Sequence, residues 1–343
     1  MPSKADKDED MPMDLKLNPE GGSLITGSVD MHYGFPRMVR SQSGDLLLFY
    51  RVGTTHAYDD ASIGMRRSSD NGKSWSDERI LWQCEPGFSA HNPVSIVNAQ
   101  GRIILWASRF EHGPRLRHPC WWSSSDDHGH TWSTWTMFDP SAHHSCYYVT
   151  DAVHTSEGLL AIDATFPVTA EGSCHTRVHF SSDDGVSWAC RSNLTSPKDN
   201  LGDEAALLEA EEDALLCIQR DRIRSDSFRY WSRDGGHTWG ERESIRDMLG
   251  CVLQRPFLTR LDEKFYLLSG RDFDRKRVVA YLSMDGGQTF GHRLELDSYQ
   301  KDGGYTTAVR LDRGACLIAW YSDSHTHPLK PDIKTANLTV RLR

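Results

Sequence analysis

The eight residues SSDNGKSW, from Ser68 to Trp75, contain the pattern that decides the fold of this chain. The pattern is Ser-x-Asp-x-Gly-x-Thr/Ser followed by an aromatic residue. Four further copies occur, SDDHGHTW at 125–132, SSDDGVSW at 181–188, SRDGGHTW at 232–239 and SMDGGQTF at 283–290. Successive copies start 57, 56, 51 and 51 residues apart. Such regular spacing indicates a repeat architecture rather than one irregular core.

Each copy has the composition of a hairpin turn. We expect its Asp side chain to accept backbone N–H groups two residues on, and its Gly to supply a positive φ. The closing aromatic residue begins the next strand and brings a large apolar area to bury. The five aspartates are therefore predicted to be structural rather than catalytic, namely Asp70, Asp127, Asp183, Asp234 and Asp285.

A second pattern precedes these turns. Two short apolar runs joined by a polar turn recur six times, at 35–51, 92–108, 147–164, 203–220, 254–271 and 304–321. Each pair is followed by a third strand, the turn and a fourth strand. Four strands in roughly 50 residues is the size of one propeller blade. The sequence thus predicts an all-β fold, a six-bladed β-propeller whose hairpins carry the five Asp boxes, as we call these turns.

The sixth unit has no Asp box, so its outer strands must come from the chain ends. We expect residues 335–342 to form its last strand and residues 23–29 to complete the ring from the N-terminus. Residues 1–20 are predicted to be a flexible lead-in, and residues 21–343 a single propeller domain.

Composition limits the possible partners. With 39 Lys and Arg against 48 Asp and Glu, the net charge is -9, which disfavours nucleic acid as a partner. No run approaches the roughly 18 apolar residues of a membrane span. The polar N-terminus has no secretory signal, so we expect a cytoplasmic protein, or a secreted one if a leader has been removed. The eight cysteines form no CxxC pair and are expected to be buried free thiols.

The repeat register brings polar residues from distant parts of the chain to one face of the propeller, where ligands usually bind. Aligning the apolar runs of the second strands places four side chains within about two positions of one another, namely Arg37, Glu204, Arg255 and Tyr305. A second register just past these runs contains Arg220 and Arg271, which are 51 residues apart.

Three motifs in this register resemble those of the sialidase superfamily, and the resemblance spans nearly the whole chain. Tyr33-Gly-Phe-Pro-Arg37 resembles the Tyr-Arg-Ile-Pro motif of a first blade, with Arg and Pro in reversed order. Asp203-Glu204, with Arg220 sixteen residues on, resembles an Asn-Glu motif followed by an arginine. Gly304-Tyr305-Thr-Thr resembles the Gly/Ala-Tyr-Ser motif that holds a nucleophilic tyrosine.

The resemblance implies an exo-acting glycoside hydrolase that removes a terminal sialic acid or a related keto sugar acid. Three arginines would hold the substrate carboxylate, and a neutral tyrosine would replace the carboxylate nucleophile that this charge repels. It implies Tyr305 as nucleophile and Glu204 as its base. Arg37 and Arg220 would be two of the arginines.

The remaining roles stay open between neighbouring residues. The acid that protonates the leaving oxygen is expected in the loop at 53–64, where Asp59 and Asp60 are both available and we select Asp60. His56 in the same loop is assigned to substrate binding. The third arginine is Arg271 by register or Arg275 by its distance from the fifth box, with Arg255 a further alternative.

Two other function classes remain open, and the 16 histidines of the chain favour the first of them. A propeller polysaccharide lyase would use Tyr305 with His56 or His144 to remove a proton next to a uronate carboxylate. A non-catalytic glycan-binding propeller would need only the pocket. We expect no cofactor and no metal, since the pairs His143-His144, His91-Asn92 and His325-Thr-His327 have no third ligand at a recognisable spacing. The expected partner is a carbohydrate, acidic in character.

Overall fold

The computed structural model describes residues 13–140, 148–165, 174–195, 203–211, 213–263, 265–323 and 328–342. In these ranges 24 strands form six antiparallel sheets of four strands each. The first strand of every sheet contacts the first strand of the next, and the sixth returns to the first. The predicted all-β, six-bladed propeller is confirmed.

The first three blades follow the chain without exception. Blade 1 contains β2 (His32–Arg40), β3 (Leu46–Gly53), β4 (Ser62–Ser68) and β5 (Arg79–Gln83). Blade 2 contains β6 (Phe88–Val97), β7 (Ile103–Glu111), β8 (Leu116–Ser125) and β9 (Thr136–Met137). Blade 3 contains β10 (Tyr148–His154), β11 (Leu159–Thr165), β12 (His175–Ser181) and β13 (Ala189–Asn193).

Blades 4 and 5 keep the same order, and blade 6 takes its fourth strand from the N-terminus. Blade 4 contains β14 (Ala205–Glu211), β15 (Ala214–Arg220), β16 (Ser227–Ser232) and β17 (Glu243–Ser244), and α1 (Arg246–Leu249) follows it. Blade 5 contains β18 (Leu253–Arg260), β19 (Tyr266–Asp272), β20 (Arg277–Ser283) and β21 (Gly291–Ser298). Blade 6 contains β22 (Gly303–Asp312), β23 (Ala315–Asp323), β24 (Pro331–Leu342) and β1 (Met13–Leu24).

The ring closes through β1, which pairs with β24 from Met13 opposite Leu342 to Leu24 opposite Lys334. The closing strand therefore begins ten residues earlier than the expected segment 23–29. Residues 13–20 belong to a sheet and are not a lead-in, because without them β24 would leave an unpaired edge. Residues 1–12 lie outside the described ranges.

The apolar core is divided into six clusters, and each lies between two neighbouring blades. Trp106, for example, is fully buried between blades 2 and 3. Seven cysteines are described and all are free thiols, six of them buried and Cys190 exposed. Among the described residues, no helix has the length and hydropathy needed to cross a bilayer.

The five Asp boxes share one hydrogen-bond pattern. In the first, the Asp70 carboxylate accepts the amide of Ser74 at 2.9 Å and its hydroxyl at 2.6 Å. The Ser68 hydroxyl donates to Asp70 and accepts the amide of Gly72, both at 2.8 Å. The Asp partner is thus the residue four positions on, and the expected bond two positions on is corrected. One carboxylate and one hydroxyl fix the whole turn.

The box glycine also fixes each blade against the blade before it. Gly287 of blade 5 has φ 86°, and a Cβ there would lie 2.6 Å from Cδ2 of Leu216 in blade 4. Leu216 is fully buried, so it has no space to move into. Gly236 approaches the preceding blade less closely, with a Cβ 3.7 Å from Leu160. In the remaining three boxes a Cβ would lie 2.1 to 2.7 Å from a side chain of the preceding blade, at Gly72, Gly129 and Gly185.

Substituting Gly287→Ala should lower the free energy of unfolding by about 1–3 kcal/mol, because overpacking adds to backbone strain. Gly44→Ala is the matched control, since Gly44 has φ 93° but a Cβ there would meet nothing within 4 Å. Denaturant unfolding of both variants gives the comparison. An equal loss in the two would mean that the contact between blades contributes nothing beyond the strain.

A buried charged cluster stabilises blade 3. The Asp163 carboxylate accepts from Arg177 Nη2 at 2.6 Å and from His179 Nε2 at 2.9 Å, and all three side chains are buried. Burial alone would raise the pKa of Asp163, but the charges and hydrogen bonds of His179 and Arg177 outweigh it and hold the pKa below its ordinary value. The cluster therefore favours the ionised, folded form.

Because the folded pKa of Asp163 lies below its unfolded pKa of about 3.9, its contribution is present above that pH and is lost as the pH falls further. Asp163→Asn should lower the free energy of unfolding at pH 7 by about 3–5 kcal/mol and flatten its dependence on pH below 4. Asp126→Asn, which breaks an exposed pair with Arg102, should cost less than about 1 kcal/mol. Urea unfolding at pH 7 and pH 3 measures both effects, and an unchanged acid slope in Asp163→Asn would contradict the assignment.

Candidate active site

Bulges in the innermost strands direct side chains towards the propeller axis. In β2, β6 and β18 the pairing register shifts at an X-Pro step whose first residue has positive φ, at Phe35 (56°), Asn92 (45°) and Arg255 (48°). A bulge re-aims side chains where a regular strand would alternate them. The register of β22 also shifts between Gly303 and Thr306, which places Tyr305 at the same level.

Gly304 allows this level to pack closely. Its φ is 107°, and a Cβ would lie 2.7 Å from Cβ of Arg271 on the neighbouring blade. Any other residue would separate the strand that carries Tyr305 from the one that carries Arg271. The glycine of the Gly304-Tyr305 motif is therefore required by the close approach of two site residues.

A cleft of about 220 Å³ opens over these bulges at one end of the axis. Its charged walls carry four guanidinium groups against two carboxylates, so it is locally positive in a chain of net charge -9. The cleft is lined by Phe35, His56, Ala57, Tyr58, His91, Asn92, Phe110, Arg117, Tyr148, Asp203, Glu204, Arg220, Arg224, Arg271 and Tyr305. An anionic ligand would be favoured here.

A short hydrogen bond joins the two central residues of the cleft. The Tyr305 hydroxyl donates to Glu204 Oε1 at 2.6 Å, and both side chains are buried. Burial, and then the negative charge of Glu204, raise the pKa of Tyr305, so the phenol keeps its proton. Burial alone would raise the pKa of Glu204, but the guanidinium groups of Arg220 and Arg255 outweigh it and bring that pKa to about 2. The pair is thus a neutral phenol facing a carboxylate.

Arg220 holds the carboxylate in place. Its Nη1 lies 2.8 Å from Glu204 Oε2, and its Nη2 lies 3.0 Å from Asp203 Oδ1. Burial raises the pKa of Asp203, and Arg220 opposes that shift. One guanidinium therefore binds two adjacent carboxylates, and it holds Glu204 oriented towards Tyr305.

Two further guanidinium groups lie beside the ring of Tyr305. The Cζ atoms of Arg255 and Arg271 are 5.2 Å and 5.5 Å from its centroid. Arg255 Nη1, Arg271 Nε and Arg220 Nε are buried and have no hydrogen-bond partner among the described residues. Such donors can form hydrogen bonds with a ligand carboxylate or with water. Arg255, the alternative that the sequence favoured less, thus lies with Arg220 and Arg271 around the tyrosine, although it is not among the residues that line the cleft.

Arg37 does not lie in the cleft, and its predicted place there is wrong. Its Nη2 donates to Asp151 at 2.7 Å and its Nε to the Ser95 carbonyl at 3.3 Å, within a second cavity on the axis. The bulge at Phe35 is the physical reason, because it turns the phenylalanine towards Tyr305 and the arginine two positions on away from it.

Arg275 and Asp60 are also outside the cleft lining, which corrects both assignments. Arg275 donates to the Gly250 carbonyl and to Asp272, and more than half of its side chain is exposed. Asp60 accepts the Gly87 amide at 3.0 Å, with its side chain 66% exposed. The alternative acid, Asp59, is bound by Arg51 and by the amides of Thr54 and Thr55.

His56 does line the cleft, and a buried carboxylate holds it there. His56 Nδ1 lies 2.6 Å from Asp302 Oδ2, which His32 Nε2 also contacts at 2.7 Å. Asp302 Oδ1 accepts the Tyr321 hydroxyl at 2.9 Å. Burial alone would raise the pKa of Asp302, but the hydrogen bonds from His32 and His56 hold it well below its ordinary value.

This cluster is also where a cation would be sought, since the ligand atoms of His32, His56 and Asp302 lie within 4.8 Å of one another. Arg271 Nη2 lies 3.8 Å from Asp302 Oδ1, however. Burial, together with the positive charge of Arg51, lowers the pKa of His32. Two guanidinium groups near the same carboxylate oppose a divalent ion, so we assign the cluster to hydrogen bonds.

Several residues in or next to the cleft were given no role by the sequence reasoning, although the register contained a signal for some of them. Tyr321 and Arg51 occupy the position of Arg220 and Arg271 at the end of a second strand. Phe35 has the same X-Pro step as Asn92 and as Arg255, which the register had already included. The singled-out pair His91-Asn92 does line the cleft. No signal marks Asp302. His143, His144, His325 and His327 lie outside the described residues.

Comparisons with known proteins agree with this architecture. A family model described as a BNR repeat-like domain matches residues 44–318. A sialidase of Bacteroides fragilis (strain YCH46) is 24% identical over 339 residues, which cover 84% of this chain and 60% of that protein. The chain spans about three-fifths of the length of this relative, and 57% of a sialidase of Paraclostridium sordellii.

Solved structures share the fold at low identity. A protein of unknown function from Dyadobacter fermentans DSM 18053 superposes with a TM-score of 0.81 at 17% identity, over 95% of this chain and 99% of that one. The Hadza microbial sialidase Hz136 superposes with a TM-score of 0.68 at 22% identity, over 91% of this chain and 66% of that one. These similarities establish the propeller fold, and any argument about the chemistry must come from the residues of the cleft.

Proposed function

Because the chain belongs to the BNR repeat-like domain family, within the sialidase superfamily, we propose that it is a sialidase-type glycoside hydrolase. Its substrate would be a glycoside with a terminal sialic acid or a related keto sugar acid. The observation that carries the proposal is the 2.6 Å hydrogen bond from Tyr305 to Glu204 amid three guanidinium groups. A phenol activated by a carboxylate suits a substrate whose anomeric carbon already carries a negative group.

The arginines would bind the substrate carboxylate. Arg271 and Arg255 each retain an unsatisfied buried N–H among the described residues, and each guanidinium lies over the ring of Tyr305. Charge-assisted bonds from Arg to a carboxylate are among the stronger hydrogen bonds of proteins. Such a carboxylate would hold the anomeric carbon near the tyrosine hydroxyl, which is the positioning that nucleophilic attack requires.

In the first step the Tyr305 oxygen would bond to the anomeric carbon while its proton passes to Glu204 Oε1. The bond from that carbon to the leaving oxygen would break, and an acid would protonate the leaving oxygen. Water would then attack the anomeric carbon and give one proton to the conjugate base of that acid. The bond from the carbon to the tyrosine oxygen would break, and this oxygen would recover its proton from Glu204. The sugar acid would leave with its anomeric configuration retained.

The wild type should release fluorophore from a fluorogenic sialoside, and Tyr305→Phe should lower kcat/KM by at least about 10³-fold, because the nucleophilic oxygen is gone. Tyr266→Phe is the matched control. Tyr266 is buried and its hydroxyl also donates a 2.6 Å bond, to the Ala210 carbonyl far from the cleft. No release by the wild type between pH 4 and 8, with related ulosonic acids equally inert, would reject the proposal.

Arg271→Met should weaken binding of N-acetylneuraminic acid by at least about 30-fold, since a buried charge partner of the carboxylate is lost. Arg275→Met should leave the Kd within about twofold of the wild-type value, because the Arg275 side chain is exposed and lies outside the cleft. Titration calorimetry of both variants measures this. Similar losses in the two would place the carboxylate elsewhere.

A polysaccharide lyase is the second candidate, and the imidazoles of the cleft are the observation that favours it. His56 and His91 line the cleft with ring centroids 6.2 Å apart, and Phe35 packs between His91 and Tyr305. A lyase acting on uronate polymers would yield an unsaturated product that absorbs in the ultraviolet. Release of an unmodified sugar acid would instead identify hydrolysis, and saturable sugar binding without turnover would identify a glycan-binding propeller.

A further inference from the structure

The cleft contains a hydrogen-bonded pair of an imidazole and a carboxylate, His56 and Asp302, to which the hydrolase steps above assign no role. His56 lies in the loop between β3 and β4, on the cleft wall, and about half of its side chain is exposed. Among the described residues, two other imidazoles belong to this region, and both of them, His32 and His91, are almost completely buried. Of these three, His56 is therefore the one that a ligand entering the cleft contacts first.

The carboxylates near the cleft have other partners. Glu204 is bound by Tyr305 and Arg220, and Asp203 by Arg220. Asp59 is bound by Arg51, and Asp60 is outside the cleft lining. Among the described residues that line the cleft, no carboxylic acid is thus left to protonate a leaving group. An acid is nevertheless required, because an unprotonated sugar alkoxide is a poor leaving group.

The environment of His56 suits this task. Asp302 accepts a hydrogen bond from Nδ1, which fixes the orientation and tautomer of the ring and leaves Nε2 as the atom that exchanges a proton. The ring of Phe35 contacts His56 with centroids 5.0 Å apart and Tyr305 with centroids 4.8 Å apart. One aromatic side chain thus sets the spacing between the imidazole and the phenol.

Asp302 also connects the imidazole to the arginine side of the cleft. Its second oxygen accepts the Tyr321 hydroxyl, which in turn accepts from Arg271 Nη2 at 3.1 Å. The carboxylate, the tyrosine and the arginine form a continuous buried network. The position of His56 relative to a carboxylate held by Arg271 is therefore fixed by the protein and not by the ligand.

We propose that His56, oriented by Asp302, is the general acid and base of this cleft, a role that rests on the hydrolase proposed above. Nε2 of the protonated ring gives its proton to the leaving oxygen as the glycosidic bond breaks and the bond to Tyr305 forms. In the second step the neutral ring takes a proton from the attacking water, and the bond from the anomeric carbon to the tyrosine breaks. His56 is thus restored, and Asp302 acts as a positioning residue.

The experiment compares two substrates of the intact protein, a sialoside of an alkyl sugar alcohol and an aryl sialoside whose phenolate leaves without protonation. His56→Gln should lower kcat/KM for the alkyl glycoside by about 10²–10⁴-fold and for the aryl glycoside by less than about tenfold. Asp302→Asn should give the same leaving-group dependence with smaller losses. If the role of His56 were merely structural, its substitution would lower kcat/KM equally for both substrates.

His118→Gln is the matched control, because His118 Nε2 contacts Glu111 at 2.9 Å in blade 2 without lining the cleft. His118→Gln should leave kcat/KM unchanged for both substrates. Equal losses on both substrates in His56→Gln, with unchanged thermal unfolding, would overturn the proposal. Loss of wild-type activity on chelation, restored by zinc, would overturn it in favour of a metal site at His32, His56 and Asp302. A wild type inert on both sialosides would reject the hydrolase itself.

Discussion

The structure depends on a contact that occurs five times, where the turn of an Asp box packs against the preceding blade. The Asp carboxylate and the Ser hydroxyl close each turn from within. In four of the five, a positive-φ glycine brings the turn so near a buried aliphatic side chain of that blade that a Cβ would not fit. Each contact fixes one blade relative to its neighbour. Blade 6 has no box, and β1 pairs with β24 to close the ring.

Fixed blades allow the innermost strands to be irregular. A bulge would weaken an isolated sheet, but here each bulged strand has neighbouring blades on both sides. The irregularity turns Phe35, Asn92, Arg255 and Tyr305 towards one end of the axis. The positive-φ residues Phe35, Asn92 and Arg255 thus lie where side chains must converge, and strained backbone is common at functional sites.

The cleft balances its charges internally. Arg220 is shared by Asp203 and Glu204, and Asp302 is shared by two imidazoles and a tyrosine hydroxyl. Buried charges persist in proteins only when they are paired in this way. Around Tyr305 the pairing still leaves one buried N–H without a hydrogen-bond partner among the described residues on each of Arg220, Arg255 and Arg271. The arrangement explains how a protein of negative net charge can offer a positive pocket.

The sequence by itself determined the fold, the number of blades and the register that unites Glu204, Arg220, Arg271 and Tyr305. Box spacing and strand alternation are local properties of the sequence, and the same pattern recurs in each repeat. The tertiary structure decided which side chains at that register face the cleft. A bulge moves Arg37 away and brings Phe35 in, because one extra residue in a strand reverses the side chains that follow it.

The partners of the residues in the loop at 53–64 were likewise decided by the tertiary structure. Asp59, Asp60 and His56 are within five positions of one another, yet only His56 lines the cleft. Arg51 forms a hydrogen bond with Asp59. His56 forms one with Asp302, which is 246 residues away in sequence. The start of β1 at Met13 was hidden for the same reason, since its sheet partner lies at the other end of the chain. Contacts between distant segments leave no pattern in a single sequence, and they decide the chemistry of this cleft.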